Sequence, residues 1–236
     1  MSMIVSKKCL HKITLILICL IFSFGLISPS YSQQEVSEIQ PSKHILVFGD
    51  SLSAAFGIDI EQGWVHLLEQ YLNNGYSLKQ QGKTFFQISN ASISGETTTG
   101  GLARLELTLE EFKPDMVLLA LGANDGLQGH PLEKIEKNLN SMLDIIQNNG
   151  IQAVVFGISI PASYGPRYID KFRDIFPNVA QQRGLPFFDL YQENFFLQPG
   201  YMQKDGLHPT AIGQPIIRDL IADFLEQQKL LENTKE

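Results

Sequence analysis

The chain has 236 residues, a net charge of −7 and two cysteines, Cys9 and Cys19. Both cysteines precede residue 33, so disulfides, thiolate metal sites and cysteine nucleophiles are excluded for the remainder of the chain. The acidic balance argues against nucleic acids and anionic membranes as electrostatic partners.

The first 32 residues have the pattern of a cleaved signal peptide. Three lysines form a basic start, and Ile13–Ile27 is an apolar run of about 15 residues, shorter than the roughly 20 that a membrane-spanning helix needs. Small residues at Ser30 and Ser32 predict cleavage before Gln33. We therefore expect export to the periplasm or secretion, without stable membrane insertion after cleavage. An uncleaved membrane anchor is the alternative.

The rest of the chain is predicted to form one domain. Residues 33–42 are polar and without periodicity, so we expect a linker there, followed by the domain at 43–230 and a charged tail at 231–236. The leader contains three of the 18 basic residues and none of the 25 acidic ones, so the mature chain would carry −10. Its length suffices for one core that buries on the order of 70% of the unfolded surface.

Apolar, β-favouring runs alternate with helical stretches along this domain. The predicted strands are Ile45–Phe48, Phe85–Ser89, Met116–Leu121, Ala153–Ile158 and Pro186–Leu190. The predicted helices are Trp64–Leu72, Leu102–Phe112, Leu132–Asn148, Ile169–Gln182 and Ala211–Glu226. Such alternation favours right-handed βαβ units. The predicted fold class is therefore α/β: a three-layer α/β/α sandwich whose five-stranded parallel sheet has flavodoxin-like order.

Ser51 directly follows the first predicted strand and the dipeptide Gly49-Asp50. Ligands of open α/β sheets bind at the carboxyl ends of the strands, so Ser51 lies where a nucleophile would be useful. A serine after a strand is also a common turn or helix-cap residue. Ser51 alone does not separate these two interpretations.

His208 is the histidine best placed for proton transfer. It stands just before the last predicted helix, three residues after Asp205. On a turn, this spacing can bring the carboxylate to one imidazole nitrogen and leave the other free to take a proton. The alternative is an aspartate that caps a turn beside an incidental histidine. The other four histidines are not expected to be catalytic, because they lie in the leader or at positions typical of packing or surface residues.

Two further segments place hydrogen-bond donors at the same edge of the predicted sheet. Gly95 follows the second strand and offers its backbone N–H, and Asn124 follows the third and offers its side-chain amide. Together with the N–H of Ser51, these donors could hold the oxyanion that forms when a carbonyl becomes tetrahedral. Glycine and asparagine are also preferred turn residues, so each alone has a structural alternative.

Four sequence blocks carry a resemblance to a known family. They are Gly49-Asp50-Ser51-Leu52, Asn90-Ala-Ser-Ile-Ser-Gly95, Gly122-Ala-Asn124-Asp125 and Asp205-Gly-Leu-His208. In this order they resemble the SGNH (GDSL) hydrolases, and especially the branch of exported thioesterases, arylesterases and lysophospholipases. The resemblance implies that Ser51 is the nucleophile, His208 the general base and then acid, and Asp205 its orienting partner. Ser51, Gly95 and Asn124 would form the oxyanion hole.

The resemblance implies a small-molecule acyl ester, acyl thioester or lysophospholipid as substrate. We expect no cofactor or metal ion, because no two histidines lie at ligand spacing with an acidic partner. The loop after Asn124 would lie beside the acyl chain, and its glycines favour movement; a plain connection is the alternative. The expected substrate-binding residues are Leu127, Gln128, Gly129, His130, Pro131, Ile160 and Pro161. Phe195 and Phe196 are further candidates for an apolar groove. For each apolar candidate, packing in the core or at the surface is the alternative.

Two other functions compete with this interpretation. An acetyl esterase that acts on acetylated glycans would use the same catalytic residues. A non-catalytic binding protein of flavodoxin-like architecture is disfavoured, because Asp50-Ser51-Leu52 stands where a phosphate-cradling glycine loop would follow the first strand. The chain also lacks the G-x-S-x-G turn of α/β-hydrolases. We expect a monomer.

Overall fold

The computed structural model of the chain describes residues 43–76, 85–190 and 198–232. The strands in these residues are β1 (Lys43–Gly49), β2 (Phe86–Asn90), β3 (Met116–Ala120), β4 (Gln152–Gly157) and β5 (Phe187–Asp189). They pair in parallel in the order β2-β1-β3-β4-β5. This is the flavodoxin-like order expected from the sequence, so the predicted fold class is confirmed.

Strand β1 lies between β2 and β3 and is buried along its whole length. Its apolar run from Ile45 to Phe48 has no exposed surface, as expected for a strand covered on both faces. Val47 lies opposite Asn90 of β2, and Gly49 lies opposite Ala120 of β3. The strand order reverses between β1 and β3, and such a reversal opens a crevice beyond the carboxyl ends of the strands.

Helices flank the sheet. They are α1 (Trp64–Tyr71), α2 (Thr98–Phe112), α3 (Ala123–Leu127), α4 (Leu132–Asn148), α5 (Pro166–Gln182) and α6 (Gln214–Gln227). Short 3₁₀ turns occupy Ile60–Gln62 and Ala162–Tyr164, and a π turn occupies Leu72–Tyr76. Helix α4 packs against both α2 and α5, whereas α1 packs against α6. These two helix groups are the outer layers of the sandwich.

Helix α4 shows how the sequence pattern directs this packing. Its apolar side chains recur at helical spacing and so form one stripe along the helix. The buried members of that stripe are Ile135, Leu139, Met142, Leu143 and Ile146. Burial of this stripe against the rest of the core stabilises the helix, because each such side chain contributes about 1.5–3 kcal/mol when it leaves water.

Several helices begin at residues other than those predicted. Helix α2 begins at Thr98, four residues early, because the side chain of Thr97 accepts a hydrogen bond from the N–H of Gly100 at 3.3 Å. The glycines in this first turn are poor helix formers and obscure its start in the sequence. Helix α5 begins three residues early, at Pro166, since proline favours the first helical turn. Helix α6 begins three residues late, at Gln214.

The packing of the domain continues into the expected tail. Leu231 is buried, and the ammonium of Lys43 donates hydrogen bonds to the carbonyls of Leu230 and Glu232 at 2.6 and 3.3 Å. A buried lysine needs such acceptors, so the first two residues of the tail belong to the packed structure. Residues 1–42 and 233–236 lie outside the described part. Within it, no helix has the length and apolar character to cross a membrane.

Candidate active site

Ser51 lies on a tight turn at the carboxyl end of β1. The backbone carbonyl of Asp50 accepts hydrogen bonds from the N–H groups of Ser53 and Ala54 at 3.1 and 3.0 Å. The carboxylate of Asp50 accepts a further bond from the N–H of Leu52 at 3.1 Å. Because these bonds fold the chain back immediately after the strand, the Ser51 hydroxyl is held at the edge of the sheet.

His208 connects this hydroxyl to a carboxylate. Its Nε2 lies 2.8 Å from Ser51 Oγ, and its Nδ1 lies 2.8 Å from Asp205 Oδ2. With Asp205 ionised, Nδ1 carries the proton and donates, so Nε2 is left as the acceptor for the Ser51 hydroxyl. The three side chains thus have the connectivity of a nucleophile, a general base and an orienting carboxylate.

The segment around Asp205 holds its carboxylate in the ionised form. Burial acts to raise the pKa of Asp205, but hydrogen bonds from the His208 imidazole and from the N–H groups of Leu207 and His208 outweigh it and lower the pKa to about 2. These two backbone bonds measure 2.9 and 3.1 Å. Asp205 therefore remains an anion, able to orient the imidazole and to stabilise it when it is protonated.

Gly95 lies in a turn that follows β2. The N–H of Glu96 donates to the carbonyl of Ile93 at 3.1 Å, and Gly95 has a φ of 83°. Glycine adopts this left-handed conformation without a steric penalty, so it suits the third position of such a turn. The N–H of Ile93 donates to the carbonyl of Gly49 at 3.1 Å, which fixes the turn beside the end of β1.

Asn124 lies in α3, directly after β3. Its side-chain nitrogen donates to the carbonyl of Glu96 at 2.9 Å, which orients the amide. The preceding Gly122 has a φ of 135°, and a Cβ there would come within 3.0 Å of the ring of Phe176. Glycine is therefore required for the close turn that brings Asn124 to the same edge as Ser51.

A cavity joins these groups. It has a volume of about 260 Å³ and includes Ser51, Gly95, Asn124 and His208 in its wall. The other residues that line it are Leu52, Phe56, Ser94, Ala123, Leu127, Ser159, Pro161 and Leu207. Most of this second set is apolar, so the cavity combines a cluster of polar groups with a surface suited to an acyl chain.

Comparison with known proteins places the chain in a family. Residues 47–216 match the model of the GDSL-like Lipase/Acylhydrolase family. The chain belongs to this family. The matched segment runs from β1 into α6 and so contains Ser51, Gly95, Asn124, Asp205 and His208. This GDSL hydrolase is accordingly an ester-bond hydrolase.

Individual relatives agree with this assignment. The GDSL hydrolase is 41% identical to an arylesterase of Vibrio mimicus over 79% of this chain and 90% of that protein. It is 37% identical to thioesterase 1/protease 1/lysophospholipase L1 of Escherichia coli over 77% of this chain and 83% of that protein. The solved structure of the psychrotrophic esterase EstA from Pseudoalteromonas sp., inhibited by monoethylphosphonate, superposes with a TM-score of 0.72 at 36% identity, covering 80% and 99% of the two chains.

The expected substrate-binding residues fall into two groups in this GDSL hydrolase. Leu127 and Pro161 line the cavity. The others, Gln128, Gly129, His130, Pro131 and Ile160, are not among the lining residues. Ile160 is buried beneath α3, where a Cβ on Gly126 would approach its side chain to 2.9 Å. Phe195 and Phe196 lie outside the described residues.

Two tyrosines hold the loop that follows α3. The hydroxyl of Tyr164 donates to the carbonyl of Leu127 at 2.7 Å, and that of Tyr168 donates to the carbonyl of His130 at 3.0 Å. The hydroxyls come from the turn before α5 and from its first part. They fix the backbone on either side of the two exposed residues at the loop tip, so Leu127 is presented to the cavity from an anchored position.

Phe56 is a cavity residue that sequence reasoning did not single out. Its ring packs on the imidazole of His208, and 47% of its surface is exposed. The side-chain nitrogen of Gln203 donates to the carbonyls of Phe56 and Pro209 at 2.7 and 3.0 Å. Gln203 thereby ties the turn after Ser51 to the segment that carries His208. No sequence signal connects these residues, which are 147 positions apart.

The aspartates next to Ser51 and Asn124 are both fully buried. Asp125 accepts hydrogen bonds at 2.7 Å from both the N–H and the hydroxyl of Thr98, which joins α3 to the start of α2. Asp50 has one carboxylate oxygen bonded to Leu52, and its other oxygen has no partner among the described residues. Burial, together with the nearby acidic groups, raises the pKa of Asp50 to about 7.

Proposed function

We propose that the protein is a serine esterase that cleaves acyl esters and thioesters through an acyl-enzyme on Ser51. One observation carries the proposal: His208 lies within hydrogen-bond distance of both the Ser51 hydroxyl and the Asp205 carboxylate, at 2.8 Å on each side. This relay can activate a hydroxyl that is otherwise a weak nucleophile. The apolar cavity beside it supplies a place for the acyl chain.

In the proposed mechanism, His208 Nε2 takes the Ser51 proton as Oγ attacks the substrate carbonyl. The developing oxyanion accepts hydrogen bonds from the N–H groups of Ser51 and Gly95 and from the amide of Asn124. His208 then gives its proton to the leaving oxygen or sulfur, and the acyl group remains on Ser51. Water, activated by the same imidazole, attacks this ester and releases the acid.

The cavity suggests how a substrate lies in the site. The acyl chain would run along Leu127 and Pro161, two apolar residues of the cavity wall. The leaving group would lie on the opposite side, because His208 must reach its oxygen or sulfur to protonate it. A volume of about 260 Å³ is below the roughly 300–1,000 Å³ of sites for drug-sized ligands. We therefore propose short-to-medium acyl chains as substrates.

The export signal is part of the proposal. The leader at residues 1–32 would be removed before Gln33, so that a monomeric domain preceded by a short linker acts in the periplasm or outside the cell. Amino-terminal sequencing of protein recovered from an exporting host tests this directly, and Gln33 is the expected first residue. A retained leader would instead support the membrane-anchor alternative.

The nucleophile assignment is tested by Ser51→Ala. We expect hydrolysis of p-nitrophenyl butyrate to fall by on the order of 10⁴–10⁶-fold while thermal unfolding is unchanged. Ser53→Ala is a matched control, because Ser53 is on the same turn and its hydroxyl has no partner among the described residues. A fluorophosphonate should add its mass to wild type and to the control but not to Ser51→Ala. Substantial turnover by Ser51→Ala would remove Ser51 from the mechanism.

The substrate class is tested with a panel. p-Nitrophenyl esters of two to twelve carbons, octanoyl-coenzyme A, lysophosphatidylcholine and acetylated xylan would be compared by kcat/KM on one enzyme preparation. We expect the aryl and thioester acyl substrates to exceed the polysaccharide. A clear preference for acetylated xylan would favour the glycan acetyl esterase instead, with the same nucleophile.

A further inference from the structure

Arg104 of α2 bonds to both ends of the loop that carries Gly95, and the proposed mechanism gives it no role. We propose that it is a positioning residue that clamps the loop of residues 91–96 and so holds Gly95 and Asn124 in place for the oxyanion. The inference rests on the proposed function, because it concerns the support of donors that act only if the protein is a serine esterase.

One guanidinium group spans both ends of this loop. Arg104 Nε donates to the two carboxylate oxygens of Glu96 at 2.8 and 3.0 Å, and its Nη2 also contacts that carboxylate. The same Nη2 donates to the backbone carbonyl of Ala91 at 2.8 Å. Ala91 opens the loop and Glu96 closes it, so a single side chain fixes the distance between the two ends.

The backbone of Glu96 helps to position two of the proposed oxyanion donors, the Gly95 N–H and the Asn124 amide. Its N–H closes the turn on Ile93 that holds Gly95 at a φ of 83°, and its carbonyl accepts the side-chain amide of Asn124 at 2.9 Å. A displacement of Glu96 would therefore move the Gly95 N–H and release the Asn124 amide together. Among the described residues, Arg104 is the hydrogen-bond partner of the Glu96 side chain.

The clamp rests on the same strand that presents Ser51. The guanidinium carbon of Arg104 lies 4.1 Å from the centre of the Phe48 ring in β1, and Phe48 is fully buried. The side chains of Arg104 and Glu96 are 23% and 8% exposed, so solvent screens this pair less than a surface ion pair. Lysine can replace Arg104 only in part, because an ammonium lacks the planar fork that serves carboxylate, carbonyl and ring at once.

The expected kinetic effect is a loss in kcat with little change in KM. Oxyanion donors act mainly in the transition state, and an interaction confined to that state lowers kcat when it is lost. Loss of one donor costs about 10²–10³-fold, and misplacement by about 1 Å costs up to about 10²-fold. For a support that acts through Glu96 we expect kcat to fall by about 10–100-fold.

The test compares Arg104→Met and Arg104→Lys with wild type, using kcat per active site titrated with a fluorophosphonate. Arg183→Met is the matched control. Arg183 is similarly shielded at 18% exposure, bonds to Asn140 and Asp144 at 2.8 Å each, and follows the last residue of α5. Affinity for an alkyl boronic acid, which mimics the tetrahedral intermediate, supplies a readout that a merely structural role would not change.

We expect Arg104→Met to lose kcat and boronic acid affinity in parallel, with KM within about 3-fold of wild type. The kcat of Arg104→Lys should lie between those of wild type and Arg104→Met, and Arg183→Met should have the kcat of wild type. If Arg104→Met does not fold, Glu96→Gln keeps the shape of the clamp while weakening it, and should lower kcat by about 3–10-fold. If the folded variants keep the kcat of wild type per titrated site, the proposed role of Arg104 is wrong but the proposed esterase function is not affected. Failure of wild type to be titrated would overturn the proposed function itself.

Discussion

The ring of Phe56 covers one face of the His208 imidazole, with the two ring centres 4.4 Å apart and the planes inclined by 36°. The imidazole is therefore shielded by an apolar group on one face while its two nitrogens bond to Ser51 and Asp205. Phe56 is 47% exposed and lines the cavity together with His208, the proposed proton donor to the leaving group. An aromatic leaving group would stack there.

Phe56→Ala should therefore discriminate between leaving groups. We expect kcat/KM for phenyl butyrate to fall about 5–10-fold more than for ethyl butyrate, since an aromatic pair contributes about 0.5–1.5 kcal/mol beyond its buried area. Phe56→Leu, which keeps the apolar bulk but not the ring, should lie between wild type and Phe56→Ala. Equal losses on the two esters would show that Phe56 acts on His208 rather than on the leaving group.

Leu127→Ala should discriminate between acyl chains instead. Leu127 lines the cavity, and the hydroxyl of Tyr164 anchors its backbone carbonyl. Truncation should lower kcat/KM for p-nitrophenyl octanoate by about 10-fold and for the acetate by less than 2-fold, because only the longer chain reaches this side chain. Both measurements keep the leaving group constant.

The two truncations check each other. Phe56→Ala should leave the ratio of octanoate to acetate activity close to that of wild type, and Leu127→Ala should leave the ratio of phenyl to ethyl ester activity unchanged. If either variant altered both ratios, the proposed placement of the acyl chain and the leaving group on opposite sides of Ser51 would be wrong.

The sequence predicted the sheet and the proposed catalytic groups because both follow from short local patterns. Ser51, Gly95 and Asn124 each follow a strand, and the strand order alone brings those loops together. The position of Phe56 is different. It depends on left-handed backbone conformations at Ala55 and Gly57 and on the hydrogen bond from Gln203 to the Phe56 carbonyl. Neither feature has a recognisable pattern in the sequence.

The role of Arg104 was equally inaccessible to sequence reasoning. The glycines in the first turn of α2 shift its predicted start from Thr98 to Leu102. An arginine eight residues from a glutamate has no standard helical spacing with it. The contact exists because the chain between them turns from the loop into α2, with Thr97 as the cap. Tertiary geometry rather than periodicity creates the clamp.

Asp205→Asn should lower kcat by roughly 10²–10⁴-fold. The amide can no longer stabilise the protonated imidazole, and it can bond to Nδ1 in a way that favours the wrong tautomer. Asp205 is 37% exposed, so water replaces part of the lost stabilisation. Asp219→Asn, a change at an exposed carboxylate on α6, is the control and should retain full activity. A loss below about 5-fold for Asp205→Asn would indicate that another group orients His208.

Asp50→Asn should change the pH dependence of stability. Burial raises the pKa of Asp50 to about 7, with repulsion from Asp125 and Glu96 adding to the rise, against an opposing hydrogen bond from Leu52. The unfolded chain loses this proton near pH 4. The folded state therefore holds more protons between about pH 4 and 7, and the free energy of unfolding contributed by Asp50 falls as the pH rises through that range.

An uncharged asparagine removes this contribution and keeps the side-chain oxygen that accepts from Leu52. Urea unfolding of wild type and Asp50→Asn at pH 5, 6, 7 and 8 measures the difference directly. We expect the variant to gain stability relative to wild type as the pH rises, by about 1 kcal/mol per pH unit below pH 7, with the gain levelling off above the folded-state pKa. Parallel stability curves across this range would mean that Asp50 is ionised in the folded protein at pH 5 and that its buried carboxylate has a counter-charge or ordered water.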